Sequence, residues 1–284
     1  MTPALASTKL EQLAQLFQRQ DKIIVMGVLN VTPDSFSDGG QHFQSESAIR
    51  RALEMAEQGA DIIDIGGESS RPGSQSVSVA EELRRVLPVI EAVSAQSEIP
   101  ISIDTMKSEV AEAALSAGAT IVNDVSGLQQ DPEIAAVAAR HGAGLILMHM
   151  RGTPATMQAD TEYDDLIIEV TKFLTAAVWQ AERSGVSEKM IMVDPGIGFG
   201  KDTTGNLELI RSVGRLRREL NKPVLVGASR KSFIGRLTGA VVDNRLPGSL
   251  AAITAAVING AAAVRVHDVA ASRQAVDIAI KLRP

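Results

Sequence analysis

Eight times along the chain a short apolar run stops abruptly at polar or glycine-rich residues, and a stretch of helical periodicity follows before the next run begins. The runs are IIVMGVLN (23 to 30), DIIDIGGES (61 to 69), ISIDT (101 to 105), TIVND (120 to 124), LILMH (145 to 149), MIMVD (190 to 194), PVLVGASRK (223 to 231) and AVRVHD (263 to 268). Regular strand–helix alternation predicts a parallel sheet with helical crossovers. Eight such units suit closure, so the expected class is α/β: a single (β/α)8 barrel over residues 23 to 284, an N-terminal helical extension over 1 to 22, and long loops after strands 1 and 2. A doubly wound open sheet is the structural alternative, but no GxGxxG follows the first strand. In a barrel the C-terminal strand ends emerge at one face, where the βα loops build the site. Those ends carry Asn30, Glu68, Asp104, Asn123, Asp124, His149, Asp194, Lys231, Arg265 and His267.

Helical periodicity fills the intervals 46 to 59, 79 to 96, 107 to 118 and 131 to 142, several ending in glycine, a common helix C-terminal residue. Leu10, Leu13, Leu16 and Phe17 predict a helix leading into strand 1, not a signal peptide. The uncharged stretch 246 to 264 approaches membrane-spanning length, yet Pro247, Gly248, Ser249, Asn259 and Gly260 interrupt it. An outer helix followed by a strand accounts for it, and a soluble cytoplasmic protein is expected. The 284 residues contain no cysteine, which excludes disulfides, thiolate nucleophiles and Cys-type zinc sites. Lys and Arg number 28 against 34 Asp and Glu, a net −6 with no long run of either sign, so nucleic acid and anionic membrane are not expected partners.

Along the last strand Arg265 and His267 alternate with Val264 and Val266, so both polar side chains face the barrel mouth if the valines face the helices. Two donors there, with the helix that opens at Asp268, predict a phosphate or diphosphate site; an Arg paired with a neighbouring strand carboxylate is the bland alternative. Ser229, Arg230, Lys231 and Ser232 lie at a strand-to-helix junction, where one charge can point inward and the other outward. Lys231 is open to two roles, Schiff-base formation or hydrogen-bond donation to a carbonyl or ring nitrogen. Asp104, Asn123 and Asp194 offer the acceptor and amide groups that read a heterocycle bearing NH and C=O edges, though strand-end residues of these types also cap helices. Aromatic residues make up only 3% of the chain, yet Phe36, Phe43, Phe199 and Phe233 sit in or just beyond the loops after strands 1, 6 and 7, as a flat substrate or simple loop anchoring would require. Loops 31 to 44, 67 to 78 and 150 to 161 are candidate lids. The four histidines show no zinc-like spacing, whereas Asn30 can offer an oxygen to a Mg²⁺ that otherwise keeps water and substrate phosphate as ligands.

The motifs VLNVTPDSFSDGG (28 to 40), IDIGGESSRPGS (63 to 74), SIDT (102 to 105), NDVSG (123 to 127), DPGIGFGK (194 to 201), GASRKSFIG (227 to 235) and RVHDV (265 to 269) resemble, in order and over residues 23 to about 280, the dihydropteroate synthase family of folate biosynthesis. The resemblance implies a transferase that condenses 6-hydroxymethyl-7,8-dihydropterin diphosphate with 4-aminobenzoate, giving 7,8-dihydropteroate and diphosphate. It implies that Asp104, Asn123, Asp194 and Lys231 hold the pterin ring, with Phe199 beside it. Arg265 would stack on the pterin and, with His267, Asn30, Ser70 and Mg²⁺, attend the diphosphate end. Phe36, Ser70, Arg71, Pro72 and Ser232 would form the aminobenzoate side, the part of the site that sulfonamides mimic. Asn30, Lys231, Arg265 and His267 are the implied catalytic groups, and a homodimer through the small-residue helix around SLAAITAAVINGAAA is expected. Ser70 stands where the family commonly has Thr, which keeps the hydroxyl and loses a methyl. The rival readings are a pterin-binding corrinoid methyltransferase, against which the TPDSFSDGG and SRKSFIG segments count, and a catalytically silent pterin-binding paralogue.

Overall fold

The computed structural model describes residues 3–19, 21–32, 41–71 and 73–283, with side chains described from residue 11 and not over 41–44. Helix α1 (Pro3–Gln18) precedes β1 (Ile24–Asn30), α2 (Gln41–Glu57), β2 (Ile62–Gly66), α3 (Val79–Gln96), β3 (Ile101–Asp104), α4 (Ser108–Ser116), β4 (Ile121–Asp124), α5 (Glu133–His141) and β5 (Gly144–Met148). Then come α6 (Leu166–Arg183), β6 (Ile191–Asp194), α7 (Thr203–Arg211), α8 (Val213–Leu220), β7 (Leu225–Val226), α9 (Ser232–Thr238), α10 (Leu246–Ile258), β8 (Ala263–Val266) and α11 (Val269–Lys281). The strands form one parallel sheet in the order β6-β5-β4-β3-β2-β1-β8-β7, and a parallel bridge between Val193 and Val224 joins its two edges. The expected eightfold barrel is therefore the fold, and the open doubly wound sheet is not.

Strand parity decides what enters the site. A Cβ on Gly27 would meet Met55 of α2 and Val269 of α11, so odd positions of β1 face the helices. Met26, Val28 and Asn30 consequently face the barrel axis. The pairings Val28 with Asp64, Ser102 with Ile121 and Val25 with Val264 carry that parity round the ring. Val264 and Val266 are wholly buried under the helices, so Arg265 and His267 point to the axis, as their alternation predicts.

Helix α3 occupies the span its periodicity predicts, with Ser78 capping its first turn by accepting from Glu81 N. Helices α2, α4 and α5 are followed by Gly59, Gly118 and Gly142 in the left-handed region, which glycine adopts without strain. The stretch 246 to 264 is the outer helix α10 followed by β8, and no helix among the described residues is long and apolar enough to cross a membrane. Strand β7 is shorter than its apolar run, because beyond Val226 the backbone turns to side-chain partners: Arg230, at φ +57°, donates its N–H to Ser249 Oγ. Helix α1 lies beneath the barrel, where Phe17 touches Gly144 at the start of β5 and, with Leu13, joins the main core.

Candidate active site at the barrel mouth

At the C-terminal face, Val28, Asn123, Val125, Met148, Asp194, Ile197, Phe199, Gly227, Ser229, Lys231, Arg265 and His267 line one cleft. Residues from six strands or their loops thus converge, and six of them were expected from sequence. A smaller hollow beside it is lined by Glu68, Ser70, Glu82, Asp104, Thr105, Met106 and Val125. Val125, Met148 and Phe199 of the cleft lining belong, with Met106, Met150 and Met157, to an apolar cluster separate from the main core and polarisable through its methionines.

Arg265 is the hinge between the two hollows. Its Nε donates to Asp64 Oδ2 at 2.6 Å and a terminal nitrogen donates to Asp104 Oδ2 at 2.6 Å. The bland expectation of a carboxylate-paired arginine thus holds alongside the placement at the mouth, and the pairing holds the guanidinium plane rigid. Asn123 Nδ2 donates to the same Asp64 oxygen at 3.2 Å, which leaves its carbonyl oxygen for a ligand. Burial raises the pKa of Asp104, against the pull of Arg265. Burial likewise raises that of Asp194, whose Oδ1 accepts from Gly196 N at 2.7 Å while Oδ2 lies near the open face of Gly227.

Lys231 and Arg230 diverge as their junction predicts. Lys231 enters the cleft with Nζ 4.0 Å from the Phe199 ring centroid, and Arg230 turns outward to grip Asp268 at 2.6 Å and 3.0 Å. Burial, then the neighbouring Arg265, lower the Lys231 pKa to about 8. It remains mostly an ammonium at neutral pH, suited to donating. His267 is lowered to about 4 by burial and then by Arg265 and Arg230, so its ring is neutral. Ser229 Oγ accepts from His267 N–H at 3.2 Å and lies 3.1 Å from Nδ1. A serine hydroxyl can donate to that nitrogen or accept from it, so the contact holds the ring's orientation while the tautomer follows from what Nε2 meets. Sequence reasoning offered two cationic or donor groups on β8; the structure places one cation, Arg265, and one neutral imidazole, His267.

The other expected residues are dispersed around this centre. Asn30 is half-buried on β1, one inward-facing step beyond Val28, and does not line the cleft. Ser70 lines the smaller hollow, Arg71 is exposed on the loop after β2, and Ser232 is exposed at the start of α9. Phe36 and Pro72 lie outside the described residues, as does the Phe43 side chain. Phe233 is buried in the main core, an anchor of α9. Asp124 is a turn residue, accepting from Ser126 N and Leu128 N, and not a ligand group. The loop after β2 is folded, with Ser74 Oγ donating to Ser69 O and Gly73 N donating to Pro154 O on the loop after β5. Sequence reasoning passed over Asp64. An acid in the middle of an apolar strand was the available signal, since a charge there must have a partner.

A closed parallel barrel with an amide, a carboxylate, a lysine and an arginine–histidine pair lining one mouth has the groups of a barrel enzyme that can hold a polar ring beside an anion. Residues 26–267 match the family of pterin binding enzymes, and the chain belongs to that family. Within it, the dihydropteroate synthase of Synechocystis sp. is 50% identical over 265 residues, 93% of this chain and 91% of the relative. The dihydropteroate synthase of Xanthomonas albilineans, solved with 4-aminobenzoic acid, superposes with a TM-score of 0.86 at 46% identity, covering 93% of this chain and 95% of that one. That of Yersinia pestis, solved with a sulfonamide drug, gives 0.86 at 41% identity, covering 92% and 94%.

Proposed function

We propose that this enzyme is a transferase that joins a dihydropterin carrying a methylene diphosphate to 4-aminobenzoate, forming dihydropteroate and releasing diphosphate. The observation that carries the reading is the single cleft holding both sets of groups: Asn123, Asp194 and Lys231 for a ring with donor and acceptor edges, Arg265 and His267 for an anion. The names of the relatives support it. In this reading Asp104 and Phe199 complete the ring end, while Phe36, Ser70, Arg71, Pro72 and Ser232 form the aminobenzoate side, where a sulfonamide competes.

The reaction needs no nucleophilic side chain. The C–O bond to the diphosphate breaks with its electron pair leaving on oxygen, the aniline nitrogen supplies the new pair to carbon, and that nitrogen then sheds a proton. Arg265 and His267 stabilise the departing charge. The loops after β1 and β2 keep water, the competing nucleophile, from the methylene. Among the described residues no cluster of His, Asp or Glu can hold a metal by itself. Asn30 at the rim fits a Mg²⁺ ligated mainly by substrate phosphate and water, and bound there the ion would neutralise phosphate charge.

Residues 23–284 form the pterin-binding unit in this proposal, with 1–22 as an N-terminal extension, in the cytoplasm. Ile258, Ile278 and Leu282 are exposed on and beside α10 and α11, which supports a homodimer through that face. Diphosphate release, assayed with the pterin diphosphate in the presence and absence of 4-aminobenzoate, tests the function. Release that depends on aminobenzoate, with dihydropteroate formed in equal amount, is expected. Binding of pterin without turnover would instead support the silent paralogue.

A further inference from the structure

Lys201 is 2% exposed, lines neither hollow, and has no carboxylate within ion-pair distance among the described residues. Burying a lysine without a counter-ion is unfavourable, and an apolar side chain would serve packing better. Its partners explain its presence. Nζ donates to the backbone oxygen of His149 at 3.0 Å and lies 2.7 Å from Nδ1 of the same residue. His149 sits just past the end of β5, with its ring edge-on to Phe173 at 4.8 Å, and its own N–H donates to Asp194 O at 2.9 Å. Burial holds that imidazole neutral, so Nδ1 is available as an acceptor.

The segment between Asp194 and Lys201 turns through Gly196, Gly198 and Gly200, all left-handed, with φ of +73°, +83° and +68°. Three permissive residues in one short loop give it little stiffness of its own. Its conformation is instead set by ties from behind: Gly198 N to Asn206 Oδ1 at 2.6 Å, Tyr163 OH to Gly200 O at 2.8 Å, and the Lys201–His149 pair. Gly196 packs so closely on the His149 carbonyl that a side chain there would collide with it. The front of this loop presents Asp194, Ile197 and Phe199 to the cleft.

We infer that Lys201 is a positioning residue for ring recognition, which cross-links the loop after β6 to His149 so that Asp194 and Phe199 meet the pterin in a fixed arrangement. The inference rests on the pterin reading above and adds a residue that does not touch the ligand. Because Ser70, Arg71 and Ser232 stand on other loops, the effect is confined to the ring end. The test uses the full-length protein and three variants: Lys201→Met, His149→Met, which deletes one of the lysine's two acceptors, and His149→Gln, which restores a side-chain acceptor. Calorimetry with 6-hydroxymethyl pterin and steady-state KM for 4-aminobenzoate are compared, with melting curves showing each variant folded. Expected are a loss of pterin affinity of about tenfold or more in Lys201→Met and at least about threefold in His149→Met, rescue in His149→Gln, and aminobenzoate KM within about threefold throughout. Undiminished pterin affinity in both methionine variants, a parallel loss at the aminobenzoate side, or equal loss in the two histidine variants would overturn it. If Lys201→Met does not accumulate folded, the histidine pair decides by the same criteria. Failure of the unaltered protein to bind pterin would sink the functional reading instead.

Discussion

Asp64 is wholly buried and accepts from both Arg265 and Asn123 through one oxygen, so two side chains that line the cleft depend on the same carboxylate. Removing one partner of a buried ion pair leaves the other charge uncompensated. Asp64→Ala is therefore expected to lower unfolding free energy by about 3 kcal/mol or more, read by urea denaturation. A loss below about 1 kcal/mol would show that water or Asp104 substitutes for it. Asp194 belongs to a different category, because its Oδ1 is satisfied locally by Gly196 and its other oxygen faces the cleft. Asp194→Ala should weaken pterin binding by about 2 to 3 kcal/mol, the scale of a lost charged acceptor. Calorimetric affinity within about threefold of the unaltered protein would remove Asp194 from the ring contacts.

Two elements illustrate how the barrel separates stability from function. Phe17 of α1 is 1% exposed at the end of the barrel opposite the cleft. Phe17→Ala should cost about 3 to 5 kcal/mol of stability while leaving pterin affinity of the folded protein unchanged. A melting curve and a binding titration on the same sample check both halves; a changed affinity would mean that α1 acts on the mouth. The loop after β2 is held the other way round, by function-side packing. A Cβ on Gly67 would stand 2.8 Å from Val86 Cγ1 and 3.0 Å from Glu82 Cγ on α3. Gly67→Ala must push the root of that loop outward. It is expected to raise KM for aminobenzoate by about tenfold, with pterin affinity within about threefold. The reverse pattern in steady-state kinetics would reassign the loop to the pterin.

At the scale of the whole molecule, the buried neutral histidines tie stability to acid. Burial, then Lys201 and Arg151, hold the pKa of His149 down at about 2, against 6.5 when the chain unfolds. A lowered folded value means that the unfolded chain takes up the proton first. The destabilisation is absent well above pH 6.5 and grows as pH falls, reaching its full extent only below about pH 2. Around pH 5 it contributes a slope of about 1.4 kcal/mol per pH unit. Asp104 and Asp194, whose pKa values burial raises, act with the opposite sign, so a difference between variants isolates the histidine. His149→Gln should flatten the pH dependence of unfolding free energy between about pH 6 and pH 4.5 by close to one proton. An unaltered slope would place the acid sensitivity elsewhere.

Strand–helix alternation, the parity of Arg265 and His267, and the polar strand ends were legible in the chain because they depend on local periodicity alone. Eight units of alternating pattern imply a closed parallel barrel, and the barrel implies that strand ends share one face. The convergence of Asn123, Asp194 and Lys231 on one cleft could be read for that reason. The tertiary structure decided what depends on pairs remote in sequence. Asp64 and Arg265 are 201 residues apart, and only closure of β8 against β1 beside β2 puts one carboxylate against that guanidinium. Whether a buried lysine such as Lys201 faces a ligand or the back of a loop likewise follows from which strand end lies behind it. A side chain's type and parity are set along one strand; its charge state and partners are set by the neighbours that closure brings and by the water it expels.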